Sequence, residues 1–247
     1  EGIGGDFPPP PSLPDTVVET LENEMRYESV VDGQRYYVLE KRYALFPQRS
    51  GPLEIPRERF VGTRGRGGLF SQQQRVNATS ESHTIKVKTI PSSFSGANWL
   101  PAKALFVREA WTEINPVFRV GEPVNRQLAI SATGLSDAVL PRLGEMEVAN
   151  AKVYADPPAT ENRVSQDGLT ALQITTVGIV PIKEGDLVLS ETRIPWWNTQ
   201  TDREEIAIVP ASTYQVLPAL NETSNAPTVT VPLSALNHPT FVSGPAK

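Results

Sequence analysis

The chain repeats itself once, across a gap of 134 residues. Residues 44–55 read A-L-F-P-Q-R-S-G-P-L-E-I and residues 178–189 read G-I-V-P-I-K-E-G-D-L-V-L. Pro47, Gly51, Leu53 and Ile55 therefore fall on Pro181, Gly185, Leu187 and Leu189. Each copy follows an Asp-Gly pair, Asp32-Gly33 and Asp167-Gly168. The spacing is far too long for a solenoid unit and suits two domains of similar build in tandem. The shared Pro-x-x-x-Gly element is a mechanical corner: proline ends one strand by withholding its N–H, and glycine supplies the dihedral with which the next strand begins.

The repeat also sets the expected content of each copy. Ahead of Leu140-Pro141 lie two strand-like runs, 104–111 and 126–133, whereas the matching Leu13-Pro14 follows only twelve residues that include Pro8 to Pro11. A proline run cannot form a central strand. The expectation is that Glu1 is not the natural start and that the first domain lacks its opening strands.

Between 23 prolines and 17 glycines, short segments alternate apolar and polar residues, as in 36–46, Ile85-Lys86-Val87-Lys88, Leu187-Val188-Leu189 and Tyr214-Gln215-Val216. This period of two, broken by turn residues, predicts an all-β chain of tandem immunoglobulin-like antiparallel sandwiches. The expected division is a Pro-rich lead-in at 1–13, a first domain at 14–92, a second at 93–218 and a flexible tether at 219–247. Within the tether, Thr228-Val229-Thr230-Val231 could add to a sheet edge.

The 247 residues contain no cysteine, which excludes disulfide frameworks, thiolate metal sites and cysteine nucleophiles. A net charge of −5 argues against nucleic acid as the main partner. No apolar run reaches the roughly 18 residues of a membrane span, and no signal-like segment opens the chain.

Candidate chemistry is sparse. Gly134-Leu135-Ser136-Asp137-Ala138 shares one glycine with a nucleophile elbow but ends a strand-like run with no helix after it, so Ser136 reads as a turn residue. His83 and His238 are not placed beside it by sequence. Asp202-Arg203-Glu204 is similar to the acidic triplet of calcium-holding modules, but companion acidic segments are missing and a solvated hairpin at 198–205 is expected. Residues 57–66 read as a basic, glycine-rich loop with four arginines, of which Arg64 and Arg66 are candidate contacts for an acidic partner or anionic lipid. In Ile194-Pro195-Trp196-Trp197, neighbouring rings must face opposite sides of a strand, so one of Trp196 and Trp197 packs in the sandwich and the other covers a face, a junction or a partner. No catalytic, cofactor-binding or metal-ligating residue is assigned.

The segments Tyr43 to Gly51, Trp99-Leu100-Pro101-Ala102, Val120 to Arg126 and Ile194 to Thr199 occur in the order found in the BatD (aerotolerance, or oxygen-tolerance) family of bacterial envelope proteins, which the chain resembles from about residue 13 to residue 218. The combination of Pro-Trp-Trp with the upstream Gly-Glu-Pro-Val carries the resemblance. It implies tandem immunoglobulin-like domains in the periplasm, held to the inner membrane by a C-terminal helix that this chain does not contain. The implied partners are membrane proteins with von Willebrand factor A domains and, indirectly, a MoxR-type ATPase. The implied role is in oxidative or envelope stress tolerance, without catalysis and without cofactors. The expected function is thus a protein-interaction scaffold. A second reading is an envelope ligand-binding module, for a polysaccharide stacked on Trp196 or Trp197 or for calcium at Asp202 and Glu204. An enzyme built on Ser136 ranks third.

Overall fold

A computed structural model describes residues 2–6, 8–21, 24–65, 74–144, 146–165 and 168–220. The fold is all-β, with strands falling into two units that match the two copies of the repeat. In the first unit the strands are β1 (Gly2–Asp6), β2 (Thr16–Thr20), β3 (Met25–Val31), β4 (Gln34–Glu40), β5 (Tyr43–Pro47), β6 (Gly51–Ile55), β7 (Arg59–Gly65), β8 (Gln74–Thr79) and β9 (His83–Val87). The second unit holds β10 (Pro101–Ala102), β11 (Ala104–Trp111), β12 (Phe118–Arg119), β13 (Val124–Thr133), β14 (Ala151–Ala155), β15 (Ala159–Ser165), β16 (Gly168–Pro181), β17 (Gly185–Leu189), β18 (Thr192–Asn198), β19 (Arg203–Val209) and β20 (Ser212–Leu217). A single 3-10 turn, Asp137–Val139, follows β13. Among the described residues no helix is long and apolar enough to cross a membrane.

Local chemistry explains the turns. Val31 pairs with Gln34, so β3 and β4 are joined by Asp32-Gly33 alone, with φ of 51° and 78°. A two-residue hairpin turn with both φ positive matches strand twist, and Asp-Gly tolerates it best. In the second copy Ser165 pairs with Gly168 across an equally short connection, although Asp167 itself lies outside the described residues. The corners behave alike. β5 ends at Pro47 in the sheet with β2, while β6 starts at Gly51 in the sheet with β9. β16 ends at Pro181 in the sheet with β13, while β17 starts at Gly185 in the sheet with β20. Gly51 and Gly185 adopt φ of 114° and 108°, values that a side chain at Cβ disfavours.

The second unit is a closed sandwich. One layer runs β11-β13-β16, with β14 and β15 sharing the far edge of β16. Facing it are β10-β18-β19 and β12-β20-β17. Their inner faces meet in one apolar cluster containing Leu128, Ile130, Val177, Ile179, Leu187, Leu189, Ile194, Trp196 and Val216. β13 and β16 alternate buried and less buried residues without interruption, the pattern of a strand with one face on the core.

The first unit is built to the same plan but left open. Its buried apolar side chains, among the described residues, are Leu13 and Leu53. Val17, Tyr27, Val30, Val31, Tyr36 and Tyr37 are each at least 42% exposed. The expected continuous alternation of 36–46 is split at Lys41-Arg42, with β4 paired to β3 and β5 paired to β2. In the second unit the same change of neighbour, from β15 to β14, leaves β16 unbroken because β13 pairs along its other edge from Val124 to Thr133. Two further expectations are corrected. The Pro-rich lead-in contains β1, whose strand state comes from antiparallel pairing with β7 rather than from any alternation of its own. Most of the basic loop at 57–66 is β7, paired with β1 and β8.

The corners give a direct test. An added Cβ would meet nothing within 4 Å at Gly51 or Gly185, so Gly51→Ala and Gly185→Ala should each cost about 1–3 kcal/mol from backbone strain alone. The tryptophans stand at 99, 111, 196 and 197. Denaturant unfolding followed by Trp fluorescence should therefore register Gly185→Ala, while Gly51→Ala shifts the far-UV circular dichroism transition and leaves the fluorescence transition in place.

Candidate interaction surfaces

Trp196 and Trp197 point to opposite faces of β18, as neighbours on a strand must. Trp196 is 5% exposed and belongs to the core cluster. Trp197 is 9% exposed on the outer face. It is covered by Trp99, whose ring centroid lies 5.9 Å away, and Trp99 meets Phe94 edge to face at 5.0 Å. Each indole keeps less than a tenth of its surface exposed. The ring that leaves the core packs at the domain junction, on the segment that enters the second unit.

That junction is tied at several points. The Trp197 N–H donates to Leu100 O at 2.9 Å, and its indole Nε1 donates to Asp202 Oδ1 at 3.2 Å. Lys88 Nζ, just beyond β9, donates to Asp202 Oδ2 at 3.1 Å. The Ser95 N–H donates to Glu204 Oε2 at 2.8 Å, and the Ser95 hydroxyl donates to Glu204 Oε1. Hydrogen bonding from Lys88, then from Trp197, holds the Asp202 carboxyl below the usual carboxylate range. Asp202 is thus engaged with Lys88 at the end of the first unit and Glu204 with Ser95 of the connecting segment, and among the described residues no group of three or more acidic or histidine side chains could hold a metal ion. A cleft of about 510 Å³ remains between Gly51, Lys86 and Lys88 on one side and Trp197 and Asp202 on the other.

Ser136 is buried at the start of the 3-10 turn, a turn residue after a strand as expected, with a single three-residue turn and no α-helix following it. Its hydroxyl lies 3.4 Å from Asp137 Oδ1, which also accepts from Asn162 Nδ2 at 2.8 Å. Hydrogen bonding from Thr160, ahead of Asn162 and Ser136, lowers the Asp137 pKa, so this carboxylate is a weak proton acceptor. His83 stands on β9 in the other unit, and His238 lies outside the described residues. Among the described residues, Ser136 joins a turn-closing network with Asp137 and Asn162 and meets no imidazole.

Of the basic candidates, Arg64 stands in β7 opposite Ile3 of β1 and Gln74 of β8. Arg66 lies outside the described residues, as does Thr228 to Val231.

A feature the sequence reading did not anticipate is an open groove of about 470 Å³ in the first unit, lined by Pro8, Tyr37, Leu39, Phe60 and Ala78 together with the polar Glu58, Thr79 and Ser80. The repeat explains it. At the spacing of 134, Phe60 falls on Ile194 and Gly62 falls on Trp196, so glycine stands where the second copy has its largest core ring. Extending the alignment past residue 55 exposes this substitution, which is the signal that the corner motif alone does not carry. No protein-family model, curated protein or solved structure matches the chain.

Two outcomes test the junction. Trp197→Ala should destabilise the second unit by about 3–5 kcal/mol, the range for a buried Trp, with a red shift in the remaining emission as Trp99 becomes wet. The folded-state pKa of Asp202 lies below its unfolded value, so its ties act above the ordinary carboxylate range and are lost as pH falls below about 3.9. Spin-label distances between the units should broaden in acid for the wild type, and should already be broad at neutral pH for Asp202→Asn.

Proposed function

We propose that this chain is a non-catalytic interaction scaffold of the bacterial envelope, of the BatD type, displayed on the periplasmic side of the inner membrane. Its partners are membrane proteins carrying von Willebrand factor A domains, with a MoxR-type ATPase coupled to them, and its role lies in tolerance of oxidative or envelope stress. The observation that carries this reading is the contrast between the two units. One unit is a closed sandwich, while the other leaves six large apolar side chains at least 42% exposed. Exposed aromatic and aliphatic surface on a fixed framework suits protein recognition. The Pro-Trp-Trp segment, which bears most of the resemblance, supports the reading by shaping the junction and not by offering its rings.

Tyr27 and Tyr36 are exposed on the β3–β4 hairpin and reach solvent from the first unit. Crosslinking mass spectrometry in cells at native expression should give specific crosslinks from the first unit to factor-A-domain proteins. A Tyr27→Ala, Tyr36→Ala double variant, or charge reversal at Arg64 and Arg66, should weaken them while the fluorescence unfolding transition of the second unit stays in place. A chain that captures no protein partner under these conditions is not a scaffold.

A further inference from the structure

Arg126 of β13 carries more donors than the fold gives it acceptors. Its side chain has no exposed surface, and every nitrogen of a guanidinium is a donor. Nε donates to Glu109 Oε1 at 2.7 Å, and Nη1 points to Met146 Sδ at 3.5 Å. Nη2 has no partner among the described residues. A thioether is a weak acceptor, so Glu109 is the strong one. A buried donor left in this state keeps the cost of its desolvation.

Met146 lies in the segment that leads from the 3-10 turn to β14, and the fold holds this segment in place. Pro141 O accepts from Gln173 Nε2 at 2.8 Å, and Leu143 and Val148 are buried in the apolar cluster. A Cβ on Gly144 would come within 2.7 Å of Val177 Cγ2 and 3.2 Å of Thr175 Cγ2. Val177 is the residue paired with Arg126. Thr175, two positions away on the same face of β16, has a buried hydroxyl that also lacks a partner among the described residues. The Met146 side chain is only half-buried at the rim of the cluster. It is therefore fixed beside the guanidinium and still within reach of a small solute.

We propose that Met146 is an oxidation site for hydrogen peroxide, and that the sulfoxide oxygen formed there is held by the buried Arg126 guanidinium. A lone pair of Sδ attacks one peroxide oxygen, and the S–O bond forms as the O–O bond breaks. The departing hydroxide takes the proton of the transferred OH and leaves as water. Sulfur is oxidised by two electrons and the peroxide is reduced by the same two. The product carries a strong acceptor on a side chain with several rotatable bonds, which lets the oxygen turn toward Nη1 and Nη2. A sulfoxide ordinarily disrupts a core by bringing a polar atom into it. Here that atom meets an enclosed cation short of acceptors, so the sign reverses. Met25, the other methionine of the chain, stands opposite Glu40 in the β3–β4 pair, a carboxylate rather than a guanidinium. This property of the second unit stands apart from the scaffold reading.

The full chain with Met25→Leu, which leaves Met146 as its sole methionine, is treated with dilute hydrogen peroxide until intact mass shows one added oxygen and peptide mapping places it on Met146. Trp fluorescence should then report a higher denaturant midpoint, with the folded-to-unfolded ratio raised by about threefold or more. Arg126→Leu combined with Glu109→Leu removes the donor and its partner together, and in that chain the same treatment should lower the midpoint. Met146→Gln places a carbonyl acceptor near the position of the sulfoxide oxygen, and without any peroxide it should unfold at a higher midpoint than Met146→Leu. A midpoint that falls on oxidation while Arg126 is present overturns the proposal, as does an equal shift with and without Arg126. A Met146→Gln chain no more stable than Met146→Leu overturns it too. So does a folded wild-type chain in which peroxide oxidises Met25 and leaves Met146 untouched.

Discussion

Ten consecutive residue pairs between β13 and β16 hold the second unit together. Without them β16 would be served on one edge only, by β15 as far as Ile174 and by β14 from Val177 onward. The strand passes this change of neighbour intact because its other edge is paired throughout, and it delivers Val177 and Ile179 to the core and Pro181 to the corner. From Gly185 the chain enters the opposite layer, where Leu187 and Leu189 close over Leu128 and Ile130. The first unit shows the same chain plan without that ladder. Its long strand breaks in two at Lys41-Arg42, and the side chains that should face a core face solvent.

A buried charge makes this ladder specific. Arg126 of β13 has no exposed side-chain surface and donates to Glu109 of β11 at 2.7 Å, with Met146 Sδ at 3.5 Å and one terminal nitrogen unpartnered. A charge enclosed in this way adds little net stability, since desolvation offsets most of the attraction. Its effect is on alignment. A slip of one residue would turn Leu128 and Ile130 outward and leave Glu109 without its partner. Apolar strands that could pair in several registers are thereby held to one.

The features legible in the sequence were those fixed by local backbone chemistry or by the period of two. Asp32-Gly33 names its hairpin, the two Pro-x-x-x-Gly corners change sheets as their residues require, and β11 occupies the run 104–111. What escaped was set by tertiary partners. β1 is a strand only because β7 lies beside it, and Gly62 and Gly65 gave β7 the look of a loop although its ladder runs through both. The opposite facing of Trp196 and Trp197 could be read from strand geometry, but not the cover over Trp197, which comes from Trp99 far upstream. The groove was hidden because it consists of an absent neighbour and a glycine in place of a tryptophan, and absence leaves no mark on hydropathy.

The segment between β9 and β10 would span roughly 40 Å if extended, at about 3.3 Å per residue, and could serve as a loose hinge. Instead Lys88 and Ser95 bond to the β18–β19 hairpin, and Trp99 leans on Trp197 of that hairpin, tilted by 38°, before the second unit begins. The connecting segment thus spends its length lying along the second unit, and only its first residue, Lys88, reaches back from the β18–β19 hairpin toward β9.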